Sequence, residues 1–571
     1  PQVKDTVADV ERMVIDVRLL PLFHQQVEID ALELNHVKFN TVGLVPEARV
    51  RGTVARLFIE SHGIDLTGEM LKVNTAQLKG ANISVALNDT VPPDTSESKN
   101  RWKIMAEKLD IADSRITLHT PGDTLQIAAY LGKLAVRKGL FDLLKGAYSV
   151  KSLDWTEGQL TCDRRFAPRQ AGLDANHLAL NDIAIGIDSF AYLAPKLDFS
   201  LRSCTFREKS GIRISQLAGR VSLDSTRIAL PALQIRTPES SFQARFEMDM
   251  NAFAEHHPGK FYARFHGALG KQDLLMFMGS LPKDFRRRYP NYPLTVQGLL
   301  KGNLQRIDIV GIHANLPTAF HLRANGYVVH PTTPERLKAD VSLDLKTLDI
   351  GFATTLLDRS LMQQLRIPRG IGLTARLKAD GTRYAATFHA NEGGGRLQGT
   401  ANIDTRTMTY NAHLTAHRLP LQHFLPDRAL HPFSGYMEVQ GKGTDMLSPR
   451  TRLTGRARIT SFTYDRWKLD GMQANIGLSV GKAQVSVDSH NPLLDGRIDF
   501  SALLGRKNVQ GTLACDLKKA DLYPLRLTEQ PLVVSLCAHV DMASDMKEYY
   551  RVQGLMSDLT VYEKEKPHRP Q

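Results

Sequence analysis

A mainly β fold, built as a long repetitive curved sheet with short helical turns, is what the sequence predicts, and three observations predict it. Apolar residues alternate with polar ones almost throughout, helical periodicity is scarce, and part of the chain is repeated. The repeat is the most specific of the three. Met13, Ile15, Leu19, Leu20, Leu22, Phe23, Val27, Ile29, Leu32, Leu34 and Phe39 recur 121 residues later as Leu134, Val136, Leu140, Phe141, Leu143, Leu144, Tyr148, Val150, Leu153, Trp155 and Leu160. With 42% apolar residues, eleven prescribed positions are all apolar by chance at about one start in 10⁴.

Along the chain, helical spacing is expected at Val7–Val14, at Leu19–Phe23 and its copy, at Gln272–Met278 and at Ala353–Leu365. Within the repeat the order is strand, short helical turn, strand. Short strands are expected from Ile212 to Ile235 around a polar turn at Asp224–Arg227. The clearest hairpin runs from Met472 to Val487 around Gly481-Lys482. A second repeat, at an offset of 101, aligns Gly395-Arg396-Leu397 with Gly496-Arg497-Ile498 and the ladder Leu414, Ala416, Leu419, Leu421, Phe424 with Cys515, Leu517, Ala520, Leu522, Leu525. Leu343, Leu345, Leu348, Ile350 and Ala353 have the same spacing, so each unit is expected to run as a strand into a turn or short helix and return. Asn88–Asn100, Arg164–Ala171 and His330–Arg336 are polar and proline-bearing, and are expected as loops. They suggest regions 1–160, 161–330 and 331–571 of one continuous elongated structure.

A sheet with one apolar face must cover that face with a second sheet or helices, close on itself, or leave the face for something else. Helical material is too scant to cover so many strands. The spacing is also too irregular for a coil of identical rungs, which favours a curled sheet. Leu32, Leu34, Leu153, Trp155, Leu178, Leu180, Ile476 and Leu478 are therefore candidates either for a dry sandwich core or for the lining of an open groove.

Other classes lack support in the sequence. Lys+Arg 73 against Asp+Glu 60 gives a net charge of +13, but the excess is spread out. The tight run Arg286-Arg287-Arg288 reads as solvated surface, and no nucleic-acid module is expected. Cys162, Cys204, Cys515 and Cys537 show no metal or disulfide spacing and read as buried free thiols. Gly393-Gly394-Gly395 and Gly441-Lys442-Gly443 lead into no Lys-Ser/Thr pair on a helix, so they read as turns. His256-His257 has no acidic or thiol companions at ligand spacing, and no Gly-x-Ser-x-Gly elbow occurs. Catalysis, a cofactor and a metal are not expected. No run of about eighteen apolar residues is present, and the chain opens on Pro1, so a fragment whose missing N-terminus holds a membrane anchor is expected.

The stretch Val14-Ile15-Asp16-Val17-Arg18-Leu19-Leu20-Pro21-Leu22-Phe23 followed by Val27 to Leu34 resembles the N-terminal signature of AsmA-like proteins. The Gly395–Thr400 strand and the ladder from Leu414 to Phe424-Leu425 resemble the repetitive body of TamB-type members in Bacteroidota. The resemblance implies a periplasmic protein, anchored in the inner membrane, whose sheet folds lengthwise like a taco into an elongated apolar groove. It implies phospholipid as cargo, moved between inner and outer membrane, with an outer-membrane β-barrel as a partner. On that resemblance the eight residues named above line the groove. The rival expectation is an assembly factor whose open sheet edge accepts strands from such a barrel by β-augmentation.

Overall fold

The computed structural model describes residues 7–18, 28–41, 48–65, 69–87, 102–120, 122, 124–170, 172–252, 254, 256–277, 281–356, 365–426, 429–445, 448, 450–505, 508–525, 528–545, 549–563 and 566–568. Strand dominates them, and the described helices are short: Lys271–Phe277, Lys283–Arg288 and Leu421–Phe424, with 3₁₀ turns at Pro334–Arg336 and Ala353–Leu356. The strands fall into two compact units, one of Pro1–Leu281 with Asn291–Asn303, the other of Pro282–Pro290 with Leu304–Gln571. In each, successive strands hydrogen-bond to one another, and among the described residues neither row of strands closes into a barrel.

The first unit begins with nine strands: β1 (Ala8–Arg18), β2 (Glu28–Asn40), β3 (Ala48–Asp65), β4 (Met70–Leu87), β5 (Lys103–His119), β6 (Leu125–Asp142), β7 (Ala147–Arg164), β8 (His177–Leu193) and β9 (Lys196–Glu208). All neighbouring pairs are antiparallel except β4 and β5, which run parallel with Met70 beside Lys103 and Ala86 beside His119. A parallel pair needs a long crossover, and the intervening chain contains Asn88–Asn100, a predicted loop that lies outside the described residues. Shorter antiparallel strands follow, from Gln216–Leu223 to Leu294–Asn303. The second unit is an antiparallel meander from Arg306–Leu316 to Tyr550–Glu563, with most strands 8 to 14 residues long.

The 121-residue repeat is a repeated hairpin. Met13 pairs with Leu34 and Ile15 with Leu32 between β1 and β2. Leu134 pairs with Trp155 and Val136 with Leu153 between β6 and β7, the same residues of the copy in the same register. The expected helical turn of the copy is instead the end of β6 followed by a turn at 143–146, because Leu140 and Phe141 still pair with Ser149 and Tyr148. The first copy's cluster, Leu19–Phe23, lies outside the described residues. Val7–Val14 is also not a helix. Its spacing of apolar residues is helical, yet Ala8 to Arg18 pairs along β2, and cross-strand hydrogen bonds override a weak local preference.

Three-residue steps in the apolar ladders mark bends. Between Leu34 and Val37, His36 is left-handed (φ 51°), as are Gly80 (φ 63°), Asp113 (φ 50°) and Glu157 (φ 56°). The pairings on either side place these residues, with Ala55 and Gly132, in one line across β2 to β7. A left-handed residue interrupts the two-residue alternation and bends the strand, so apolar side chains three apart stay on one face. In β5, for instance, Leu109, Ile111 and buried Ser114 alternate with exposed Lys108, Asp113 and Arg115. Glu157 is the counterpart of His36, 121 residues on, so the bend is duplicated with the hairpin.

The remaining expectations fared variously. Lys271–Phe277 is helical as expected, whereas Ala353–Leu356 is a 3₁₀ turn and 357–364 lies outside the described residues. The second repeat runs as read: Thr409–Pro420 passes into the helix Leu421–Phe424, and Val509–Asp521 into a turn. The hairpin at Met472 turns one residue earlier than expected, on Val480-Gly481, both at positive φ (54° and 72°) as a tight two-residue β-turn requires. Arg287 and Arg288 are exposed, but their neighbours Phe285 and Tyr289 are buried against Phe352; burial pushes the Tyr289 hydroxyl up to about 12. The four cysteines are free, but only Cys204 is buried and the other three are half-buried.

Candidate functional site

Residues directly opposite one another across a ladder share a face, so the pairings sort every side chain into cross-strand rows. In the first unit one row reads Ile15, Leu32, Ile59, Ala76, Leu109, Val136, Leu153, Ile187, Leu201 from β1 to β9. The next reads Met13, Leu34, Leu57, Leu78, Ile111, Leu134, Trp155, Ile185, Cys204. Nine strands contribute to each row, and neither holds a charged side chain. The structure thus brings Leu32 together with Leu153, and Leu34 with Trp155, in common rows.

Leu180 and Leu178 lie across the bend. Leu180 belongs to a row through Phe39, Gly52, Ile83, Ile116, Ala129 and Leu160 that meets the buried Glu208 in β9, and Leu178 ends one through Val50, Val85, Leu118, Ile127 and Cys162. The bend itself is the best-packed strip: Val54, Ala81, Ser114, Leu131 and Ile183 are all buried. Their small or branched side chains suit a line where the sheet folds towards its own apolar side. Sequence reasoning missed these residues; the signal that could have found the bend is the three-residue step from Leu34 to Val37.

Ile476 and Leu478 lie in the second unit. Ile476 belongs to a row that includes Val439, Gly455, Val485, Phe500 and Leu513 and that meets only apolar residues or glycine from Ile309 to Gly554. Leu478 stands in a parallel row with Leu453, Ala483, Ala502 and Met542. A third row carries Leu343, Phe388, Leu414, Val487 and Ile498.

These faces are apolar without being sealed. Leu32, Leu34, Leu153, Trp155, Leu178 and Leu180 are half-buried; Ile476 is 41% exposed and Leu478 only 7%. Leu316 is the only large apolar side chain among the fully buried ones of the described residues. Two globular domains of half this mass would together expose about 24,000 Å²; the chain exposes 36294 Å².

The opposite face is polar. In the first unit Arg137 and Lys108 meet Asp110 at 2.7 and 3.1 Å, and Arg56 meets Glu33 at 3.0 Å. Burial alone would raise the Asp110 carboxyl, but the hydrogen bonds from Arg137 and Lys108 outweigh it and hold the group below its ordinary value. In the second unit a row of Ser342, Arg376, Thr387, Thr400, His413, Glu438, Arg456 and Asn475 alternates with the apolar rows, and Arg376 grips Asp340 with two bonds of 2.7 Å. Exposed pairs of this kind contribute little stability each; what they do is keep one face in water. No family model matches this chain, and no curated protein matches it.

The last long strand, Tyr550–Glu563, has a different surface. Val552, Leu555 and Met556 are 66%, 74% and 57% exposed, and Lys566–His568 covers only Val561 to Glu563 of its outer edge.

Proposed function

We propose that the apolar face carries lipid: acyl chains lie along the cross-strand rows while headgroups stay in water, and phospholipid passes between inner and outer membrane by this route. The observation that carries the reading is the uninterrupted apolar row. Leu32, Leu34, Leu153 and Trp155 stand in rows without a charge across nine strands, and they remain half-buried instead of being closed over. Moving an acyl chain through water exposes it at about 25 cal/mol per Å², and a continuous apolar face removes that cost at each step. A conduit of this kind needs no strong local site, since tight binding anywhere would trap the cargo. The resemblance to AsmA-like and TamB-type proteins points the same way and supplies the proposed setting, a periplasmic protein anchored in the inner membrane.

The test is transfer of a labelled phospholipid between donor and acceptor vesicles by the full chain and by Ile476→Asp. Ile476 is exposed enough to accept a carboxylate without unfolding, whereas Leu478→Arg would bury a charge. Loss of transfer with a cooperative melt whose midpoint falls by no more than about 4 °C supports the proposal; transfer at the unsubstituted rate sinks it. The exposed strand Tyr550–Glu563 favours a second reading, in which it accepts a strand of a β-barrel partner by augmentation. Crosslinks from position 552 to such a barrel, with transfer intact in Ile476→Asp, would select that reading.

A further inference from the structure

The loop between β7 and β8 presents an aromatic ring to water with unusual firmness. Phe166 is 77% exposed, the highest value for any large apolar residue described. Arg164, Arg165 and Arg169, all exposed, surround it within six residues of chain. The loop backbone is tied down at several points. Arg164 N–H donates to Asn176 O at 2.8 Å, Arg165 N–H to Thr124 O at 3.2 Å, and Ala167 N–H to Arg164 O at 3.0 Å.

Two buried side chains hold the loop from beneath. The His177 ring places Nε2 2.9 Å from Ala167 O and Nδ1 2.5 Å from Asp163 Oδ1. Both partners are acceptors, so both ring nitrogens carry hydrogen and the ring is an imidazolium. The Asp174 carboxylate accepts from the backbone N–H of Gln170 at 2.9 Å and of Asn176 at 3.1 Å. The nearby carboxylates are thereby occupied, and the loop's outward charge is positive.

We propose that Arg164–Gln170 is a membrane-contact loop that takes an anionic bilayer surface. An aromatic ring flanked by guanidinium groups matches the two layers of that surface: the ring reaches the boundary of the acyl region, and the arginines meet lipid phosphates. A protein partner would need a broad complementary patch of some 800 Å², whereas this feature is a single ring on a tight loop. Its place is apt, because Cys162 and Leu178, two residues of the outermost apolar row, lie just inside the loop. The proposal does not depend on lipid moving along the sheet.

Co-sedimentation of the full chain with vesicles tests it, using phosphatidylcholine alone and phosphatidylcholine containing one third phosphatidylglycerol. The unsubstituted chain is expected to pellet with the anionic vesicles, and Phe166→Ser to bind about tenfold more weakly. Arg164→Glu with Arg169→Glu is expected to abolish the preference for phosphatidylglycerol. Leu144→Ser alters an exposed leucine in the turn at the other end of β6 and β7, and it is expected to bind like the unsubstituted chain. Unchanged thermal midpoints show that the surface variants fold. No pelleting by the unsubstituted chain, equal pelleting by Phe166→Ser, or a loss in Leu144→Ser as large as that in Phe166→Ser overturns the proposal. Lipid transfer measured on the same proteins reads the carrier function separately.

Discussion

The long strands of the first unit and the short strands of the second solve one problem in two ways. β3 to β8 are 17 or 18 residues long, about 60 Å each at 3.3 Å per residue, and among the described residues all but β3 carry left-handed residues within the strand. The second unit's strands are mostly about half that length, and most of their register slips lie near one end, as at Ala416/Leu419, Asp495/Gly496 and Leu517/Ala520, the slip at Ile309/Ile312 being the one in mid-strand among the described residues. A short strand keeps its apolar residues on one face by alternation alone. A long, twisted strand does so only if it bends, and the bend consumes a residue. The lesson is that the deepest burial in the first unit follows the fold line and not the centre of a core.

The largest break in this contrast is expected from Gly132→Val. A Cβ there would stand 2.5 Å from Glu157 O and 2.6 Å from its Cβ, so the substitution pushes apart two strands at the fold line and should cost about 3 kcal/mol or more. Gly477→Ala in the second unit meets nothing within 4 Å and should change stability by less than about 1 kcal/mol. Hydrogen exchange resolved by peptide assigns each loss to its own unit; equal losses would mean that the fold line has no special role.

Next in size is Val136→Asp against Ile476→Asp. Val136 is 7% exposed and Ile476 is 41%, so the first should cost about 3–5 kcal/mol and the second about 1 kcal/mol, read from urea titrations. His36→Ile should cost about 1–2 kcal/mol, because a β-branched residue resists the left-handed conformation, while His36→Gly should not destabilise.

The smallest effect expected is one of pH on the loop beneath Phe166. The hydrogen bond to Asp163, then that to Ala167, raises the His177 ring above its ordinary value, so its contribution is complete below the unfolded value near 6.5 and fades as pH climbs through the folded one. Hydrogen bonds from the Gln170 and Asn176 backbones hold Asp174 down against burial, so its contribution is present above the unfolded carboxylate value and lost as pH falls through the folded one. Midpoints of urea unfolding against pH, compared with His177→Gln, should differ in slope only above pH 6.5. A difference confined to acid pH would contradict this assignment.

Much of the fold was legible because period two survives without context. The repeat could be read from its apolar residues as two strands around a turn, but which of them face one another could not, since register depends on the turn. The ladder's three-residue steps were visible too, yet their meaning was not, since nothing in Leu34-Asn35-His36-Val37 announces a left-handed histidine. Val7 to Val14 misled because three valines at helical spacing outweigh alternation when the partner strand is unseen. For the site, alternation was enough to select Leu32, Leu34, Leu153, Trp155, Ile476 and Leu478 as residues of one apolar side in their units. How far each is exposed was not legible, since alternation gives the face and not its cover: on one strand Leu478 is 7% exposed and Ile476 41%.

The parallel pairing of β4 with β5 has a consequence for how such a chain lengthens. Five strand-to-strand steps lead from β1 to β6, and in a strict up-and-down order the second hairpin would run head to foot against the first. The single repeated direction cancels that inversion, so Ile15 and Val136 occupy equivalent places in the same cross-strand line. Tandem copying then amounts to a shift sideways without rotation, and each added copy prolongs the existing stripes instead of scrambling them.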